Sequence, residues 1–69
     1  MYLTNVTQRG EVVATTVSDI LSDAVDFANK ISCKDDNVFI YEVVQTASDL
    51  EILGEVLKFK SEGPSVDGR

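Results

Sequence analysis

Sixty-nine residues with a net charge of −6 make one domain at most, and a chain this short buries only ~60% of its unfolded surface and usually needs a disulfide, a metal or a partner chain as a staple. A single cysteine, Cys33, excludes an internal disulfide, and the lack of histidine removes the commonest general base, the Ser-His and Cys-His nucleophile pairs, and nearly all zinc sites. Twelve acidic residues against six basic ones disfavour direct binding to a nucleic-acid backbone, which needs clustered Lys and Arg.

What remains is an idealised fold that copes alone, or oligomerisation. The lone thiol fits a reducing compartment. The amino-terminal residues, Met1-Tyr2-Leu3-Thr4-Asn5, lack the basic and apolar regions of a signal peptide. No apolar run approaches the ~20 residues that span a bilayer. The expectation is a cytoplasmic protein without membrane contact.

In chain order, Tyr2–Val6 and Glu11–Thr15 read as two strands around Thr7-Gln8-Arg9-Gly10, with Gly10 at the left-handed position of a type I turn and bulge. A helix follows over Val17–Ser32. Thr16 is placed to cap it and Asp19 to complete the cap and oppose the dipole. Val17, Ile20, Leu21, Ala24, Val25, Phe27, Ala28 and Ile31 fill one half of its wheel, while Ser18, Asp19, Ser22, Asp23, Asp26, Asn29 and Lys30 fill the other. Asp26 precedes Lys30 by four residues, the favourable order for a surface pair. Cys33, just past the helix, is expected to be an inert and partly buried small hydrophobe.

Val38–Val44 is the most strand-like run of the chain, rich in branched and aromatic residues. Phe39, Tyr41 and Val43 point one way; Val38, Ile40 and Val44 point the other, interrupted by Glu42. A strand apolar on both faces belongs to the interior of a structure, and one helix can cover only one of them.

Two readings compete for Gln45–Lys60. In the favoured one, Thr46–Glu51 is a turn and Ile52–Lys60 a fourth strand, alternating as an edge with lysines on it and tolerating Gly54 as a bulge. In the other, Ser48 and Glu51 cap a second helix running to about Lys60, at the cost of Gly54 in mid-helix, about 1 kcal/mol. Ser61–Arg69, with Gly and Pro and no periodicity, is expected to be a disordered tail. The fold expected is therefore α+β: one domain over residues 1–60, an antiparallel sheet of three or four strands in the order ββαββ, with the helix on one face; the alternative is ββαβα.

Candidates for chemistry are few. Asp35-Asp36-Asn37 has calcium-loop residue types without the glycine and final glutamate that such loops require. No phosphate-binding glycine loop and no nucleophile elbow is present. No cofactor, metal or catalytic residue is expected. Asp19, Asp23 and Asp26 form an acidic helix stripe suited to solubility or to steering a basic partner. Tyr41 and Glu42 interrupt or border the apolar faces of the central strand and mark the rim of a surface.

The leading expectation is a small non-enzymatic protein-binding or regulatory protein, a homodimer whose sheets pack face to face or join at an edge, which occupies a site on a protein partner through residues among Asp19, Asp23, Asp26, Tyr41 and Glu42. Two others stand beside it. One is an acidic nucleic-acid mimic such as a phage anti-defence factor, in keeping with the size and style of phage and mobile-element accessory proteins. The other is a small-ligand sequestering protein or accessory enzyme subunit with a pocket near Tyr41 and Glu42.

Overall fold

The computed structural model describes residues 1–63 of the chain. It has the expected ββαββ order: β1 (Tyr2–Gln8), β2 (Glu11–Ser18), α1 (Leu21–Ile31), β3 (Asn37–Gln45) and β4 (Leu50–Lys60). The strands form one antiparallel sheet in the order β2-β1-β3-β4, so β3 lies inside the sheet and β2 and β4 are its edges. Residues 50–60 are strand, which excludes the second helix from Ser48. Leu57 and Phe59 turn to the helix side and Lys58 and Lys60 to the other, the alternation of an edge strand. Of the expected tail, residues 64–69 lie outside the described residues.

The helix starts later than its wheel suggests. Thr16, Val17 and Ser18 continue β2 and pair with Thr4, Leu3 and Tyr2. The branched side chains of Thr16 and Val17 favour extended backbone, and without these residues the first half of β1 would lack its outer partner. The Thr16–Asp19 cap is consequently not formed. Ile20 stands at the N-cap with no side-chain hydrogen bond, and Asp23 supplies the negative charge of the first turn.

Under the helix lies a core of small residues. Val6, Ala24, Ala28, Val38 and Ile40 are fully buried, with Tyr2, Ala14, Val25, Leu57 and Phe59 packed half-exposed around them. The two alanines let the helix backbone settle close to the sheet. Each fully buried Val or Ile contributes roughly 1.5–3 kcal/mol, but the bulkiest apolar side chains are missing from this layer's centre. All five aromatic residues, Tyr2, Phe27, Phe39, Tyr41 and Phe59, are only half-buried.

The β1–β2 hairpin closes with the pair Gln8↔Glu11, leaving a two-residue turn. Both turn residues are left-handed, Arg9 at φ 56° and Gly10 at φ 82°. This is a type I′ turn rather than the expected type I turn with a terminal bulge. The bulge falls further along, where the register passes over Val13 between Val6↔Ala14 and Thr7↔Val12. In β4 the register likewise passes over Val56 and Leu53. Leu53 therefore does not share a simple alternation with Leu57 and Phe59.

Two substitutions test this packing. A left-handed conformation costs a residue with a Cβ roughly 1–2 kcal/mol, least for Asn; Arg9→Asn is expected to raise the urea midpoint by an amount equivalent to about 0.5–1 kcal/mol, and a lowered midpoint would show that Arg9 makes compensating contacts. The hydroxyl of Thr4 is fully buried and has no hydrogen-bond partner among the described residues. Thr4→Val, which keeps the shape and removes the orphan oxygen, is expected to stabilise by about 1 kcal/mol, and destabilisation in the same titration would contradict this.

Candidate interaction surface

Among the described residues no helix or strand packs over the side of the sheet away from the helix, although Val43 on that side is 3% exposed. Cross-strand pairs place Leu3, Val17 and Tyr41 in one row with Glu55, and Asn5, Thr15, Phe39 and Lys58 in the next; Val43 and Ile52 pair beyond them. Val17 is 43% and Ile52 56% exposed, and Phe39 and Tyr41 are half-buried. An antiparallel sheet facing water on one side normally carries polar residues there. This one carries aromatic and branched residues at its centre.

β1 pairs with β3 only as far as Glu42, while β3 runs on to Gln45 with β4 as its sole strand partner. The two strands thus project as a ribbon, closed by Thr46, whose N–H donates to the carbonyl oxygen of Asp49 at 2.7 Å and whose Oγ1 accepts the Asp49 N–H at 3.1 Å. Two-stranded ribbons are marginal alone in water. Here Val44, Leu50, Ile52 and Leu53 are all exposed.

The residues singled out from sequence do not converge. Asp19 lies in the bend before α1, and Asp23 and Asp26 lie on α1, all exposed on the helix side. Tyr41 lies on the opposite, uncovered face beside Leu3 and Glu55, whereas Glu42 is exposed on the helix side of the sheet, opposite Tyr2 and Gly54. Consecutive strand residues point to opposite faces, so Tyr41 and Glu42 cannot line one pocket within a chain. Val17, read as part of the helix stripe, belongs instead to the open face. The run of branched residues through Thr15-Thr16-Val17 was the signal for it.

Topology also sorts the charges. Arg9 in the first turn, Lys30 in the last turn of α1, Lys34 in the following loop, and Lys58 and Lys60 at the close of β4 all fall at one end of the sheet. These are all the basic side chains among the described residues. Glu11, Asp35, Asp36 and Glu62 offset them there. The other end carries Asp19, Asp23, Glu42, Asp49, Glu51 and Glu55, and among the described residues no basic side chain. Almost all of the net negative charge resides at that end.

The basic end is fastened by polar contacts. Asp36, 5% exposed, accepts the Cys33 N–H at 2.8 Å and the Gln8 Nε2 at 3.2 Å through its two carboxylate oxygens. Ser61 donates its N–H to the Asp36 carbonyl at 2.7 Å, and its own carbonyl accepts the Asp35 N–H at 2.9 Å. The buried Ser32 and Ser61 hydroxyls bond to each other, and Gly63 donates its N–H to the Ser61 Oγ at 2.9 Å. The Asp35–Asn37 stretch is thus a structural suture. Cys33 beside it is exposed rather than partly buried, because its N–H, not its side chain, is what the loop turns inward.

A groove of about 610 Å³ runs between α1 and β4, lined by Val25, Asn29, Leu57, Phe59, Lys60 and Gly63 among others. It lies away from both Tyr41 and Glu42. Among the described residues no three acidic or thiol side chains converge on a metal position, and no helix is long and apolar enough to cross a membrane. No family model, curated protein or solved structure matches this chain.

Removing the Asp36 carboxylate leaves the Cys33 N–H without its acceptor and should cost about 1–3 kcal/mol. Asp36→Ala is therefore expected to lower the urea midpoint clearly while Asp35→Ala, at an exposed left-handed position, does so less through lost contacts. Equal stability of Asp36→Ala and the parent would refute the suture.

Proposed function

We propose that the protein is a non-enzymatic protein-binding protein that works as a homodimer, joined through the uncovered sheet face. The observation that carries this reading is the apolar centre of that face, Leu3, Val17, Phe39, Tyr41 and Ile52, in a chain whose aromatic residues are all half-buried. Apolar patches of more than a few hundred Å² on small proteins usually mark interaction sites.

Two further features favour the face over the edges. Both edge strands are bulged, β2 at Val13 and β4 at Leu53 and Val56; bulges and edge lysines such as Lys58 and Lys60 disfavour strand addition. The molecule measures 44 × 24 Å across its two larger extents, so the sheet side offers on the order of 1,000 Å², against about 800 Å² per partner in a standard interface. In such a dimer the helices face outward, and Asp19, Asp23 and Asp26 are the surface offered to a basic protein partner, raising its rate of encounter. Cytoplasmic location and regulation by occupying a partner's site belong to the same proposal.

Sedimentation equilibrium at micromolar concentration is expected to return twice the 7.5 kDa chain mass. Val17→Lys combined with Ile52→Lys should return the single-chain mass with an unchanged far-ultraviolet circular dichroism spectrum, since both side chains are exposed in the single chain. A well-folded parent monomer at ~100 μM, a concentration at which even weak dimers with micromolar Kd assemble, would overturn the reading.

A further inference from the structure

We infer that the second copy packs on the open face with its long axis reversed, about a two-fold axis running across the strands, so that the acidic end and projecting ribbon of each chain lie over the basic end of the other. This rests on the dimer proposed above and adds its geometry. Two sheets packed face to face keep their strands roughly aligned. A closed two-fold dimer then has two main choices, the axis along the strands or across them. An axis along the strands sets like end on like end. It would set β4 of each chain over β2 of the other, with both acidic ends, each bearing Asp49, Glu51 and Glu55, on one side and both lysine-bearing ends on the other.

The reversed arrangement answers both the charge and the apolar surface. Along the open face, Lys58 sits beside Phe39 and Glu55 beside Tyr41, one row apart on the same strand. Reversal carries each Glu55 toward the partner's Lys58 end, while the aromatic pair stays near the axis. It also carries the ribbon, whose Leu50 and Ile52 lie on this face and whose acidic residues have no basic neighbour across the strands among the described residues, over the end of the partner's β3 and β4 that holds Asn37 and Lys60 beyond Phe39 and Lys58. Opposite charges brought together in this way fix orientation more than they add affinity. The ribbon thereby gains the packed second layer that a two-stranded hairpin lacks in water.

Cys33 is exposed, is the only cysteine, and marks the basic end; Ser48 marks the tip of the ribbon and is exposed. Nine residues of β3 separate the two ends, about 30 Å at 3.3 Å per residue. Nitroxide labels on Cys33 of the full chain are expected to give a distance across the dimer of about 30 Å or more by double electron–electron resonance. Mixing that species with a Cys33→Ser/Ser48→Cys chain labelled at position 48 should add a population shorter than about 25 Å, since each tip would then lie over the opposite end. A short Cys33–Cys33 distance with no short mixed population overturns the reversed geometry while leaving the dimer standing. If the Val17→Lys/Ile52→Lys chain keeps the dimer mass with the long distance unchanged, the contact is an edge and the inference fails. A sample with no intermolecular distance at any concentration overturns both readings together.

Discussion

One helix of 11 residues has to serve a four-stranded sheet. At 1.5 Å per residue it is about 16 Å long, whereas the 11 residues of β4 span about 36 Å. The helix therefore covers only part of one face, lying chiefly against β1 and β2. Everything distinctive about the structure follows from that shortfall. Val6, Val38 and Ile40 are buried beneath Ala24 and Ala28, while every aromatic residue remains partly exposed. The strands continue past the helix as an exposed ribbon. A small chain without a disulfide has little else with which to offset the entropy of folding, which is why the uncovered face is the natural place for a second copy.

The route of the chain through the sheet gives the net charge a direction. β1, the helix and the last strand all end at the same side, and the basic side chains among the described residues lie at those endings: Arg9, Lys30 and Lys34, Lys58 and Lys60. The strand and helix starts opposite them carry the unbalanced carboxylates. A total of −6 thus describes an object with one nearly neutral end and one strongly acidic end, not a uniformly acidic surface. An acidic molecule of uniform sign would repel its own copy in any orientation; a polar one repels it much less when reversed.

Much of this fold was legible in the residues. Val38–Val44 does form the interior strand, with Phe39, Tyr41 and Val43 opposite Val38 and Ile40, and the lysine-bearing stretch after Gly54 does form an edge. What local pattern could not supply was tertiary demand. Thr16 and Asp19 make a convincing helix start, yet Tyr2, Leu3 and Thr4 require strand partners, and the branched Thr16 and Val17 serve that need. Bulges at Val13, Leu53 and Val56 reset the alternation, so the faces of β4 could not be read from period two alone. The proposed interaction residues suffered in the same way. Asp19, Asp23 and Asp26 are on the helix side and Tyr41 on the other, and the open patch with Leu3, Val17 and Ile52 became visible only once register fixed which strands are neighbours.

Closure of the uncovered face by a second copy is exposed most directly by mass action. If folding and association are coupled, the midpoint of thermal unfolding depends on protein concentration. Over a hundredfold dilution from ~100 μM, the account expects the midpoint to fall by several degrees, as a loss of about 1–3 kcal/mol does in a domain of this size. A midpoint that stays constant over the same range, with full two-state unfolding at each concentration, would mean that the single chain is stable by itself and would contradict the account.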